Sequence, residues 1–232
     1  MRLKQNNTEL YGGADPRCAP AYTFSEVARY LRLPSDTVRN WAIGHGDFRP
    51  VLELDDAQRQ YLSFWNLVEV HVLSGIRRLH GVKLPMVRSA LEYVQRDLKM
   101  ERPLIQESFQ TDGRSLFVRR YGELLNASKR GQIVMSEMLL AQLQRIERDR
   151  EGLPIRLYPF TRSIDQDSKR YASQPRDVMM NPRISFGRPA VGGVATSVIW
   201  GRYRAGDSIA HLAKDYSLTT DHIEEAIRCE AA

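Results

Sequence analysis

The sequence predicts a mainly helical α+β protein in which small β pieces separate helical units. Three observations predict it. Apolar residues recur at three- and four-residue steps over long windows, as in Phe64, Leu67, Val68, Val72, Leu73, Ile76 and Leu79. Capping residues and breakers such as Thr23, Ser35, Gly81 and Asp207 punctuate those windows. The β-like runs are short and cluster around Gly and Pro.

The 232 residues suit one to three small domains, at about 100–150 residues each. A hydrophobic share of 42% supplies ordinary cores. The net charge of +6 and a pI near 9.4 favour a polyanionic partner, because each phosphate contact releases counterions. No apolar run approaches the roughly 18 residues of a membrane span. The stretch from Met1 to Thr8 is polar and lacks the apolar core of a secretory signal, so a cytoplasmic chain is expected. Cys18 and Cys229 stand at opposite ends without a CxxC companion, which predicts two free thiols.

The elements follow in order. Gly12, Gly13, Asp15, Pro16 and Pro20 make residues 1–21 a flexible arm. Thr23 or Ser25 caps a first helix with Val27, Ala28 and Leu31 inward. After the Leu33-Pro34 break, Ser35 caps a second helix, Asp36 to Trp41, with Val38 and Trp41 inward. Two short helices around a tight turn predict a helix-turn-helix. Val51, Leu52 and Leu54 give a strand-like piece within residues 49–56. A strong helix from Leu62 to Leu79 and another from Met86 to Leu98, opened by Leu84-Pro85, complete a winged unit over residues 22–100.

Residues 101–162 read as a mixed α/β unit. A hairpin is expected from residues 103–109 and 115–119 around Asp112-Gly113, the strongest short turn signal in the chain. A strand at 131–135, a helix at 136–150 and a strand at 153–160 follow. The polar stretch 163–177 reads as a linker. The last unit, 178–232, has short β pieces at 182–186 and 190–194, then helices at 196–203, 207–216 and 219–228. The last two again enclose a tight turn.

In a helix-turn-helix the second helix enters the major groove, which makes Ser35, Thr37, Arg39 and Asn40 candidate DNA contacts. Arginine binds phosphate or guanine, and asparagine reads adenine. Arg49, Arg77, Arg78, Lys83 and Arg88 are candidates for the phosphate backbone, with a solvated face as the alternative for each. Trp41 and Phe64 fall on apolar stripes and are expected in the core, whereas Trp65 fits either packing or stacking on a base. The final helix carries Asp221, Glu224 and Glu225, charges that repel phosphate, so a structural or dimer-forming role is expected there. No nucleophile elbow, zinc-protease motif or phosphate-binding glycine loop is present in the sequence. His71 and His80 do not have metal-pair spacing. The chain is therefore expected to be no enzyme and to hold no cofactor or metal.

Two resemblances add to this reading. Tyr22-Thr23-Phe24-Ser25-Glu26-Val27-Ala28, then Leu33-Pro34-Ser35-Asp36-Thr37-Val38-Arg39-Asn40-Trp41, and later Gly81-Val82-Lys83-Leu84-Pro85-Met86-Val87-Arg88, resemble the winged helix-turn-helix of MerR-type regulators. That family has a longer, basic wing. Here residues 49–60 are short and acidic at Glu53, Asp55 and Asp56, which weighs against wing contacts to DNA. Asn181-Pro182-Arg183-Ile184-Ser185-Phe186-Gly187-Arg188-Pro189, Gly206-Asp207-Ser208-Ile209, Leu212-Ala213-Lys214-Asp215-Tyr216 and Ile223-Glu224-Glu225-Ala226-Ile227-Arg228 resemble domain-of-unknown-function family 433. Where that family carries Gly-Thr-Arg, this chain has Gly193-Val194-Ala195.

The combination looks like the long VapB-like antitoxins. The resemblance implies a PIN-type ribonuclease toxin as partner and repression of the chain's own operon. Two-fold operators imply a homodimer. Arg170 and Arg176, in the charged linker, are candidates to occupy the toxin's acidic cleft. The rival expectation is a MerR-like regulator that senses a small molecule and has no toxin partner.

Overall fold

Helix formation starts at Thr23 through a reciprocal cap. Its hydroxyl accepts from the Glu26 N–H, and the Glu26 carboxylate accepts from the Thr23 N–H. In the computed structural model, which describes residues 13–47, 49–77, 84–162 and 173–231, this opens α1 (Phe24–Leu31). Val27, Ala28, Tyr30 and Leu31 face inward. Arg32 ends the helix in the left-handed region at φ 54 and donates its N–H to the last-turn carbonyls. α2 (Ser35–Ile43) follows. Pro34, not Ser35, is its N-cap, and the Pro34 carbonyl takes the Thr37 and Val38 N–H groups. Ser35 is the first helical residue, with its hydroxyl 3.4 Å from that of Ser25.

The strand-like piece at 49–56 is an irregular loop instead. Its Val51 and Leu52 N–H groups bond the Trp41 carbonyl, and the loop returns through an isolated antiparallel bridge between Leu62 and Tyr22. Among the described residues no hairpin fills the wing position. α3 (Phe64–Arg77) buries Phe64, Leu67, Val68, Val70, Val72 and Leu73. A helix apolar on so many sides belongs at the centre of a fold. α4 (Leu84–Leu98) turns Val87, Ala90, Leu91 and Val94 inward, as the periodicity predicts.

Residues 101–150 differ most from expectation. Two short 3-10 turns, Pro103–Ile105 and Glu107–Gln110, lead into α5 (Asp112–Leu125), so the hairpin is not formed. Gly113, Leu116, Phe117 and Tyr121 are buried at helical spacing. A Cβ on Gly113 would lie 2.9 Å from the Phe109 ring, so this glycine permits a close approach rather than a hairpin turn. The strand expected at 131–135 lies inside α6 (Lys129–Leu143), which Ser128 caps through the Gly131 N–H. α6 stops at Leu143 rather than continuing to 150, and β1 (Ile146–Arg148) then pairs antiparallel with β2 (Pro154–Leu157).

Arg145 fixes that exit. Only 1% exposed, it donates to the carbonyls of Tyr158 (2.7 Å), Pro159 (3.1 Å), Gln174 (2.7 Å) and Pro175 (2.5 Å). Its guanidinium also lies 4.5 Å over the Phe160 ring.

In the last unit the piece at 182–186 is a bridge between Asn181 and Ile184 followed by the 3-10 turn Ser185–Gly187. β3 (Ala190–Val191) and β4 (Val194–Ala195) form a hairpin whose turn, Gly192-Gly193, needs positive φ at both residues. α7 (Thr196–Arg204), α8 (Ile209–Tyr216) and α9 (Thr220–Glu230) close the chain. Ser208 and Thr219 cap the last two. One apolar core gathers side chains from Tyr22 to Met180, and a smaller one joins Val178, Val191, Ile199, Leu212, Ile223, Ala226 and Cys229.

Arg145→Met keeps much of the side-chain bulk but removes every donor from four carbonyls. It is expected to lower the unfolding free energy by at least about 2 kcal/mol, read as a fall in the urea midpoint at unchanged slope.

Candidate nucleic-acid interface

The packing of α2 decides which of its residues reach solvent. Val38, Trp41 and Ala42 are turned into the core. Ser35, Asp36 and Arg39 are exposed, and Thr37 and Asn40 are half-buried. Each of the four sequence-predicted residues of this helix therefore keeps some solvent exposure, Ser35 and Arg39 the most. The Arg39 guanidinium lies 5.9 Å from the Phe24 ring, at the first position of α1. Arg49 is exposed on the loop that folds back on the end of α2. Arg88 is half-buried on α4 and donates to the Pro50 carbonyl at 3.2 Å, which joins it to the same loop. Among the described residues no carboxylate pairs with Arg39 or Arg49. Arg77 is the last residue of α3, while Arg78, Lys83 and Arg170 lie outside the described residues.

Arg176 belongs to a different neighbourhood. It is exposed at a shallow depression of about 360 Å³, lined also by Gln144, Ile146, Glu147 and Tyr158. Trp41 and Phe64 are core residues, as expected. Trp65 is half-buried between the guanidinium groups of Arg17 and Arg102, at 5.3 and 5.4 Å from its ring, so its role is packing. Burial pushes the Cys18 thiol up to about 11 and the Cys229 thiol up to about 12, and both cysteines are free. No described helix is long and apolar enough to cross a membrane.

The C-terminal unit docks on the other side of α1 through contacts that the sequence does not announce. The Tyr22 hydroxyl donates to the Gly187 carbonyl at 2.9 Å. A Cβ at Gly187 would fall 2.0 Å from that hydroxyl oxygen, so only glycine fits. Arg188 pairs with Glu26, Arg29 pairs with Glu230, and Arg32 donates to the Arg228 carbonyl at 2.8 Å. Glu230 also accepts from the Thr196 hydroxyl at 2.5 Å.

Glu225, 1% exposed, accepts from the Thr161 hydroxyl, from Arg162 Nε at 2.9 Å and from Arg228 Nη1 at 2.7 Å. The acidic face expected on α9 is therefore partly turned inward. Asp221 remains exposed, and Glu224 is tied to Arg228 at 2.7 Å. Burial by itself would raise the Glu225 carboxyl. The hydrogen bonds from Thr161 and Arg162, with the charges of Arg162 and Arg228, outweigh it and hold the group below the usual carboxylate range.

This docked unit is the part of the chain that a known family describes. Residues 178–228 match the family described as Protein of unknown function (DUF433). The DUF433 match contains Gly187, Arg188 and Glu225, three of the residues that fasten the unit to the rest of the chain. Over 242 aligned residues the chain is 27% identical to "Putative antitoxin VapB45" of Mycobacterium tuberculosis, covering 92% of this chain and 95% of that protein. It also shares its fold with the crystal structure of Rv2018 from Mycobacterium tuberculosis, with a TM-score of 0.68, 23% identity, and coverage of 90% of this chain and 98% of that one.

Because the Glu225 carboxyl is held below its unfolded value, the stabilisation it gives is complete at neutral pH. That stabilisation is lost as pH falls through the folded value. Glu225→Gln is expected to cost about 1.5–3 kcal/mol at pH 7. The gap between wild type and variant in thermal melts should close in acid, where both carry a neutral side chain.

Proposed function

We propose that this chain is the antitoxin of a type II toxin–antitoxin system. It binds and inhibits a PIN-type ribonuclease toxin, and it binds operator DNA to repress its own operon. The observation that carries this reading is likeness along 92% of the chain to a protein named as a VapB antitoxin. The match of residues 178–228 to DUF433 and the exposed, unpaired Arg39 support it.

In this reading residues 22–98 act as a MerR-type helix-turn-helix. α2 enters the major groove, where Thr37, Arg39 and Asn40 meet base edges and Ser35 lies at the leading end. Arg49, Arg77, Arg78 and Lys83 hold the phosphate backbone. A homodimer presents two such helices to half-sites about 34 Å apart. Inhibition of the toxin is steric and needs no catalysis by the antitoxin. Arg170 and Arg176 supply the cations for the toxin's acidic, metal-binding cleft. The chain acts in the cytoplasm.

Co-expression with the neighbouring gene tests the toxin half. Growth arrest by that gene alone, relieved by this chain, is the expected outcome. Absence of arrest would favour a regulator without a toxin. Full protection by the Arg170→Ala, Arg176→Ala double variant would remove those two residues from the reading. Titration of duplex DNA from upstream of the coding sequence tests the other half. Arg39→Ala is expected to cost about 1–3 kcal/mol of binding and to relax sequence preference.

A further inference from the structure

Three arginines from separate parts of the chain meet at one small cavity. The antiparallel bridge between Leu157 and Met180 draws the end of β2 against the start of the C-terminal unit, with backbone hydrogen bonds of 3.0 and 2.8 Å. Ile155 and Arg156 thereby face one side of a cavity that Asn181, Pro182 and Arg183 face from the other. Arg17 arrives from the segment before α1 and completes the lining. The cavity is half-enclosed and has a volume of about 170 Å³. At roughly 30 Å³ per water, it has room for one tetrahedral oxyanion and a little solvent. No carboxylate is among its lining residues.

The arginines at the back of the cavity are held from outside it. The Arg17 side chain is 13% exposed. It donates to Asp15 and to Asp149, at 2.7 Å each, and lies 5.3 Å over the Trp65 ring. Arg156 Nη1 donates to both oxygens of Glu147 at 3.0 Å. Arg156 Nε is closed off from solvent, and among the described residues it meets no acceptor. A buried donor without an acceptor is costly, and an oxyanion in the adjoining cavity is the acceptor this chain does not itself provide. Asn181, 8% exposed, accepts from the Arg183 N–H at 2.9 Å through Oδ1, which leaves its amide nitrogen to donate. Arg183 is exposed, and among the described residues no carboxylate pairs with it. Its charge nevertheless reaches this corner of the fold. Burial by itself would raise the Asp15 carboxyl, but the hydrogen bonds from Arg17 and the charges of Arg17 and Arg183 hold it below the usual carboxylate range.

We propose that this cavity binds a phosphate group, either as the free ion or as the end of a phosphomonoester. Guanidinium groups donate paired hydrogen bonds to such oxygens. A phosphate monoester carries about −1.5 to −2 charge at neutral pH, which suits three guanidinium groups better than the single charge of a carboxylate. The site needs neither DNA nor a toxin, so it stands apart from the antitoxin reading. Its consequence is mechanical. The ligand touches the N-terminal segment, β2 and the C-terminal unit, and only the folded chain brings these together. Bound phosphate therefore fastens the C-terminal unit and stabilises the native state by mass action.

The experiment titrates the full-length protein with inorganic phosphate by calorimetry and follows its thermal midpoint in phosphate and in chloride at equal ionic strength. Saturable binding is expected, with an upward shift in phosphate that chloride does not give. Arg183→Ala and Arg156→Gln should each weaken phosphate binding roughly tenfold, the loss of one charge-assisted hydrogen bond. Arg204→Ala, which removes an exposed arginine at the end of α7, should leave it unchanged. Adenosine monophosphate and adenosine separate the two sources of the ligand. Binding of the monophosphate with adenosine inert extends the site to phosphomonoesters, and binding of inorganic phosphate alone limits it to the free ion.

A midpoint shift that chloride reproduces, or phosphate binding unaltered in both Arg183→Ala and Arg156→Gln, would overturn the proposal. Tighter binding of acetate than of phosphate would overturn it too, by making the cavity a carboxylate site. Arg183 has an exposed side chain, so its variant keeps the test decisive if Arg156→Gln does not fold.

Discussion

A partly buried guanidinium ties the loop after α2 to α3. Arg102 donates to both oxygens of Glu69, at 3.1 and 2.8 Å, and to Asp55 at 2.7 Å. Glu69 lies on α3 almost out of solvent, and its burial raises the carboxyl above the usual range. Such a group is tolerated only when paired and hydrogen-bonded. Asn66 completes the arrangement, donating to Glu69 at 3.0 Å and to the Glu53 carbonyl at 2.7 Å and accepting from the Ser63 N–H at 3.2 Å. The loop between α2 and α3 is thus shaped by a polar network rather than by strand pairing. The Asp56 turn, in which the carboxylate accepts from the Gln60 N–H, and the Tyr22–Leu62 bridge follow it within the same loop.

α1 is committed on two sides. It packs against α2 on one, and it receives the C-terminal unit on the other through Tyr22, Glu26, Arg29 and Arg32. This division sorts the chain's positive charge. Arg17, Arg29, Arg102, Arg162, Arg188, Arg202 and Arg228 are held in ion pairs within the fold, and Arg145 is held by carbonyls. Arg39 on α2 and Arg49 and Arg59 on the loop after it face solvent without a carboxylate partner among the described residues, as do Arg150 and Arg176 elsewhere. The net charge of +6 therefore says little by itself about a polyanion site. What matters is which cations the fold does not use.

Elements that carry a complete local signal were legible in the sequence. The stripes of α1, α3 and α4 and the cap at Thr23 all rest on contacts within a few residues. The region after Met100 was not. Asp112-Gly113 carries a strong hairpin signal, but the apolar set Leu116, Phe117 and Tyr121 buries only as a helix, with Gly113 pressed on Phe109. Burial of a whole face outweighs a two-residue turn preference. The end of α6 was hidden for a related reason. Arg145 reads as a solvated arginine until residues 158–159 and 174–175 come round to offer it four carbonyls.

The candidate site divides in the same way. Ser35, Thr37, Arg39 and Asn40 could be picked out because helical spacing alone separates them from Val38 and Trp41. The sequence by itself determined the helical class, the two paired-helix units and the outward face of α2, since each follows from the period of nearby residues. Only the tertiary structure decided that Glu225 and Glu230 are internal, that Asp55 pairs with Arg102, and that Asp56 winds a loop. The sign of a charge is written in the chain. Whether that charge meets solvent, a backbone or a buried partner depends on residues tens or hundreds of positions away, and folding alone brings those together.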